Sequence, residues 1–207
     1  LSKEIGITQK SAWFVLQRLR EACGTDIAKL GGIVEVDETY IGGKEANKHE
    51  SKKRRMGRGA VGKSAVVGMR ERGGRTVAKP IDDADNANLH RAIHTHVEVG
   101  TTVYTDEARA YSGLGGLFFQ HATVNHGAGE YMRNGIGTNS IESVWAVLKR
   151  GLHGVYHHAS PKHLGRYVNE FTFRLNDANC QRPTLDRLNS FVAATVGRRI
   201  TYKELTA

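Results

Sequence analysis

The sequence predicts an α/β fold, a mixed sheet flanked by helices. Three observations carry that prediction. The stretch Val34-Glu35-Val36-Asp37-Glu38-Thr39-Tyr40-Ile41 alternates β-branched residues with acids, the period of a strand with one buried face and one face left for chemistry. Further strand-like runs at 64–70, 76–81, 102–107 and 118–124 are interleaved with stretches whose apolar residues recur at helical spacing. Acids stand where these elements can aim them: Asp37 on the first strand, Asp106 at the end of a later one, Glu142 at the opening of a helix.

The 207 residues suffice for one sizeable domain with appendages, and 39% hydrophobic content is adequate for its core. Thirty basic residues against 21 acidic ones give a net charge of +9, an excess that points to a polyanionic partner, nucleic acid before membrane. No run of eighteen apolar residues occurs, so no bilayer-spanning helix is expected. Cys23 and Cys180 are two isolated thiols, which make neither a disulfide framework nor a four-cysteine zinc site and suit a reducing cytoplasm. The chain opens on Leu1 inside a structured pattern and reads as the carboxyl-terminal part of a longer protein.

Residues 1–30 read as the end of a helix-turn-helix and a linker. Leu1 to Ile5 resembles the close of a short helix, Gly6 makes the turn, and Thr8 caps a second helix. That helix spaces Ala12, Val15, Leu16 and Leu19 for burial and leaves Gln9, Lys10, Gln17, Arg18 and Arg20 mostly on its surface. It suits a DNA recognition helix and equally an amphipathic helix packed on a neighbour.

The Asp37 strand follows Gly31-Gly32. Gly42-Gly43 then opens a basic tract to Lys63 that holds Lys44, Lys48, Lys52, Lys53, Arg54, Arg55 and Arg58. Its glycines and lack of periodicity predict a loop, whose place beside the acid-bearing strand favours contact with a phosphate backbone. Gly73-Gly74 turns the hairpin between the next two strands. Asp82, Asp83 and Asp85 read mainly as turn and cap residues for a helix over 88–97, and stand as runner-up acids for the site. A short helix is expected over 107–111, and a polar loop from 125 to 138 precedes the Glu142 helix.

On that helix Ile141, Val144, Trp145 and Leu148 form one buried stripe. Lys149 lies seven residues beyond Glu142, on a neighbouring face two turns along, followed by Arg150. His153, His157, His158 and His163 read as part of a connection rather than a zinc site, because cysteine or carboxylate partners are lacking. Pro161 opens a helix capped by Ser160, with Leu164, Tyr167, Val168, Phe171 and Leu175 as its core stripe. Residues 177–207 form a helical tail carrying Leu185, Leu188 and Val192. Each acid also has a plain structural reading. An Asp at a strand end suits a turn, and Asn139 with Glu142 fits a capping box.

Four segments, taken in order, resemble the bacterial insertion-sequence transposases with a DDE catalytic domain, most nearly the ISXO-two-like group. They are Val36-Asp37-Glu38-Thr39-Tyr40-Ile41-Gly42-Gly43-Lys44; Tyr104-Thr105-Asp106; Asn139 to Trp145 with Lys149-Arg150; and Tyr167 to Phe171 through Arg174-Leu175-Asn176. The 36 positions from Asp106 to Glu142 are similar to the family's spacing, and Lys149 matches its basic companion.

The resemblance implies an RNase H-like fold, with residues 31–176 as the catalytic domain and a truncated helix-turn-helix remnant before it. It implies a cytoplasmic, nucleoid-associated enzyme that cuts element ends and joins them to target DNA as a homodimer or larger assembly. Asp37, Asp106 and Glu142 are then the catalytic acids and metal ligands, and Lys52, Lys53, Arg54, Arg55, Lys149 and Arg150 the DNA contacts. Three carboxylates about 4 Å apart repel by about 4 kcal/mol per pair at an effective dielectric near 20, a cost that cations remove. Hard oxygen ligands select Mg²⁺ or Mn²⁺, and two ions per site suit phosphoryl transfer, with Asp37 bridging both and Asp106 and Glu142 binding one each. A nuclease or resolvase using the same acids, and a catalytically silent DNA-binding relative, are the alternatives.

Overall fold

Strand β1 (Ile33–Ile41) is the middle strand of a five-stranded sheet. It pairs antiparallel with β2 (Ser64–Glu71), which pairs antiparallel with β3 (Thr76–Ile81). On its other side β1 pairs parallel with β4 (Thr102–Asp106), and β4 parallel with β5 (Gln120–Val124), so the order is β3-β2-β1-β4-β5. The computed structural model from which these elements come describes residues 1–24, 28–43, 47–53, 60–116, 119–125, 132, 135–177 and 182–207, and of Lys52 the backbone only. The mixed α/β sheet expected from the sequence is what these residues form.

Alternation along β1 sorts its side chains onto two faces. Val34 and Val36 enter a core with Val67, Met69 and Val103, which α2 (Asn86–His96) covers with Leu89 and Ile93. Asp85 caps α2 by accepting the Asn88 N–H at 2.8 Å, the role expected of it. The opposite face carries Glu35, Asp37 and Thr39 and is covered by α3 (Asn139–Gly151). All four stripe residues of α3, Ile141, Val144, Trp145 and Leu148, are buried.

Boundaries differ from expectation where local geometry decides them. Residues 107–111 make a single 3₁₀ turn, Arg109–Tyr111. Asn139 is the first residue of α3 and Thr138 its cap position, whose side chain does not cap the helix, so the expected Asn139–Glu142 capping box does not form. A π turn, Leu152–Tyr156, extends α3 and ends on His157, the one described non-glycine residue with positive φ, at +56°.

The chain divides into two compact units, Ile27–Leu164 and Leu1–Asp26 with Gly165–Ala207. The second is helical: α1 (Gln9–Ala22), most of α4 (Pro161–Asn176), α5 (Thr184–Thr195) and α6 (Tyr202–Thr206). Thr8 caps α1 as expected, but residues 1–5 make a hydrogen-bonded turn rather than a helix end, Ile5 N–H to Leu1 O at 3.1 Å. Gln17 and Arg20, expected on the surface, are buried. Their partners explain it. Gln17 Nε2 donates to Tyr167 Oη at 3.4 Å, Arg20 Nε donates to Glu170 Oε2 at 2.7 Å, and the Arg20 guanidinium lies 4.2 Å from the Tyr167 ring centroid. These contacts match the reading of α1 as a helix packed on a neighbour. Among the described residues no helix is long and apolar enough to cross a membrane.

Candidate active site

Asp37 stands opposite Gly68 in the β1–β2 ladder. Gly68 has no side chain, and the space above it is filled by α3. A Cβ at Gly68 would come within 2.6 Å of Trp145 Cζ2 and 2.9 Å of Ile141 Cδ1. A glycine inside a strand often marks such a close approach. Seated there, the Trp145 indole donates its Nε1–H to Asp37 Oδ2 at 2.8 Å.

The parallel register pairs Ile33 with Thr102 and Glu35 with Tyr104, so two residues further on Asp37 reaches the level of Asp106. Asp37 in the middle of β1 and Asp106 at the carboxyl end of β4 therefore lie on one face of neighbouring parallel strands. Burial pushes the Asp37 carboxyl up to about 6, the Glu38 and Asp106 charges add to the push, and the Trp145 N–H opposes it. One Asp106 oxygen, Oδ1, accepts the Ala108 N–H at 3.0 Å, so this acid also serves the turn that leaves β4.

Glu38 points to the other face, where Tyr111 Oη donates to its Oε2 at 2.6 Å. Burial raises the Glu38 carboxyl, and the Asp106 charge raises it further against the Tyr111 bond. Burial and the Glu38 charge together push the Tyr111 phenol far up, so it stays a hydrogen-bond donor.

Glu142 lies exposed on the first turn of α3, one turn before Trp145. Among the described residues no three His, Cys, Asp or Glu side chains are gathered closely enough to hold a metal ion. The structure thus brings Asp37 and Asp106 side by side and docks the Glu142 helix on Asp37, with Glu142 itself outside the pair.

Of the expected DNA contacts, Lys149 and Arg150 are exposed in the last turn of α3. Lys149 lines a basin of about 580 Å³ with Tyr40, Lys63, His153, His157 and His158. His157 closes it through a tight turn in which His158 N–H donates to Tyr156 O at 2.5 Å. Lys53 is described and pairs with Glu50 Oε2 at 2.6 Å. The Lys52 side chain, Arg54 and Arg55 lie outside the described residues.

Sequence reasoning missed Glu35, which is buried and accepts from Arg72, Ser140 and Ile141. It also missed Gly68 and the indole of Trp145 as neighbours of Asp37. The signals were present: an acid in phase with Asp37 on a buried face, and a glycine inside an apolar strand.

Over 184 residues the chain is 29% identical to an uncharacterized protein in transposable element ISH50 of Halobacterium salinarum, covering 84% of this chain and 62% of that protein. The chain therefore spans about three-fifths of that relative's length. Among solved structures, the catalytic core domain of BIV integrase aligns with a TM-score of 0.47 at 12% identity, over 79% of this chain and 95% of that one. The HTLV-2 integrase catalytic core domain in complex with magnesium aligns with a TM-score of 0.40 at 15% identity, over 75% and 91%. Residues 29–176 match the family model of the ISXO2-like transposase domain, well over half of the 207 residues. That stretch holds the whole sheet, α2 and α3, and on it the chain belongs to the ISXO2-like transposase domain family.

Proposed function

We propose that this chain carries the catalytic domain of a DNA transposase, residues 31–176, with Asp37, Asp106 and Glu142 as its catalytic acids. The observation that carries the reading is the meeting of three elements: Asp37 in the middle of β1, Asp106 at the end of the adjacent parallel strand β4, and the helix of Glu142 docked on Asp37 through Trp145. Asp37 and Asp106 are hard oxygen donors on one face of the sheet, a donor set that suits Mg²⁺ or Mn²⁺. These two residues would hold divalent cation, with Glu142 completing the set for the two ions of a phosphoryl-transfer site. Bound there, the cations would neutralise charge developing on the phosphoryl oxygens and favour attack by water or by a DNA 3′-hydroxyl.

The protein's own part is positioning. The sheet holds the two aspartates in one direction, and the Trp145 N–H fixes the rotamer of Asp37. Lys149 and Lys63 put positive charge into the basin beside α3, and Arg150 lies next to it in sequence. With Lys53, and with Lys52, Arg54 and Arg55 of the same tract, they serve as contacts to the DNA backbone that position without reading sequence. Because two element ends are joined to target DNA in one event, the working assembly is a homodimer or larger, bound to double-stranded DNA.

The test is joining of a labelled 3′-hydroxyl oligonucleotide to plasmid in Mn²⁺, comparing the chain with its D37N, D106N and E142Q variants. The expected result is joined product that each substitution lowers by at least a hundredfold. Nicking without joining, still dependent on the three acids, would make the protein a nuclease. Full activity in any one variant would remove that acid from the site.

A further inference from the structure

Glu35 is the most deeply buried acid of β1, 2% exposed, and a carboxylate in such a place is costly unless donors surround it. Four do. Arg72 Nε donates to Oε1 at 3.1 Å, while Oε2 accepts from Ser140 N–H at 2.8 Å, Ser140 Oγ at 2.6 Å and Ile141 N–H at 3.2 Å. Two of these donors are the second and third backbone N–H groups of α3, to which Thr138 at the cap position offers no side-chain capping bond. A strand residue 105 positions away thus does the work of a helix cap. With both oxygens engaged, Glu35 is not a further ligand for a cation.

Arg72 extends the anchor. Its remaining nitrogens donate to Gly135 O at 2.5 Å and Gly137 O at 3.3 Å, and its guanidinium stands 5.1 Å from the Tyr104 ring centroid. The carboxylate, the segment leading into α3 and the strand that ends on Asp106 are therefore tied by one side chain.

The second attachment of α3 is Trp145 on Asp37. Glu35 and Asp37 are two residues apart on a strand, about 6.7 Å, and Ile141 and Trp145 are four apart on a helix, about 6 Å. The near-equal spacings let an unbent helix meet both anchors as it runs along β1. Glu142 lies between them.

We propose that Glu35, clamped by Arg72, is a positioning residue of the site: it fixes the first turn of α3, and so Glu142, against the strand that carries Asp37. This rests on the functional reading above. It separates Glu35 from the acids that touch the reacting groups, and predicts that its loss slows turnover while sparing DNA binding.

The test compares E35A, E35Q and S140A in the full chain by amide hydrogen exchange and by Mn²⁺-dependent joining kinetics. In E35A, protection at Ser140 and Ile141 should fall at least tenfold while β1 and β4 keep theirs; kcat should fall at least tenfold with KM for DNA within threefold. E35Q keeps one carbonyl acceptor for the Ser140 and Ile141 N–H groups but sets its amide NH2 against Arg72, so it should recover the protection and rate in part, above E35A. S140A removes only the hydroxyl donor and should lower kcat two- to fivefold, which keeps the test open if E35A does not fold. Unchanged protection at both amides, or kcat within twofold of the parent in both E35A and S140A, overturns the proposal. A parent chain that neither joins nor nicks overturns the functional reading instead, and the exchange data then decide the anchor alone.

Discussion

Asp37 accepts hydrogen bonds from the Trp145 indole and from the backbone N–H of Glu38, and burial still pushes its carboxyl up to about 6. The indole is the replaceable donor. Trp145→Phe keeps a ring over Gly68 and removes the N–H, so it should cost about 1–2 kcal/mol of stability, the value of a hydrogen bond to a partly charged acceptor. Joining should slow roughly tenfold, about 1.4 kcal/mol of barrier, because Asp37 loses the contact that sets its rotamer. Urea midpoints and single-turnover rates measure the two effects separately. Cys23 offers a second check at this scale. Burial, then the Glu170 charge, pushes its thiol from 9.0 up to about 11, with Arg174 and Arg20 opposing. At pH 8 the thiolate fraction should be about a hundredfold below that of a free thiol, since only the thiolate reacts. Iodoacetamide should therefore label Cys23 slowly in the folded chain and quickly in urea, read by peptide mass.

At the scale of elements, the packing of α3 over β2 depends on Gly68. Gly68→Ala would place a methyl where Trp145 and Ile141 already lie, and overpacking of this kind costs about 1–3 kcal/mol. The indole would be lifted from Asp37, so the variant should lose joining as well as stability, whereas Gly73→Ala in the hairpin turn should lose stability alone. The β2–β3 hairpin carries its own titration. Burial raises the Glu71 carboxyl, but hydrogen bonds from the Arg75 side chain, the Gly31 N–H and the Arg75 N–H outweigh it, and the net shift is downward. A carboxyl lowered on folding stabilises the fold above its unfolded value and loses that contribution as the pH falls through the folded one. Glu71→Gln should thus cost about 1 kcal/mol at neutral pH and progressively less below pH 4, measured by urea midpoints across that range.

These elements also show what the sequence could tell. Periodicity reports which face of an element is buried, so the β1 strand, the α3 stripe and the Asp85 cap were all legible. Partners distant along the chain were not. Arg20 and Gln17 look like surface residues until Glu170 and Tyr167, 150 positions away, are brought to them. Asn139 and Glu142 look like a capping box because nothing local says that α3 starts one residue earlier, with the Glu142 N–H already donating to Thr138 O and Glu35 taking the Ser140 and Ile141 N–H groups.

At the scale of the whole molecule, the family and the charge point to one partner. A net charge of +9 on 207 residues would draw the proposed DNA to the chain, but it does not say where the DNA would lie. The basin beside α3 is the place the proposal would give it, since Lys63 and Lys149 reach it from different parts of the chain and His153, His157 and His158 also line it. Each phosphate neutralised by a side chain releases counterions, so the logarithm of affinity falls with the logarithm of salt by about 0.9 per phosphate on duplex DNA. Lys149→Gln should weaken duplex binding alike for all sequences and reduce the magnitude of the salt slope by about 1, and Lys63→Gln should do the same. Lys79, on β3 and away from the basin lining, supplies the control: K79Q removes the same unit of charge and should leave the slope within experimental error. Fluorescence anisotropy from 50 to 300 mM salt measures all three. Equal losses in all three variants would mean that net charge alone attracts the DNA, and a loss confined to K149Q and K63Q would place its backbone in the basin.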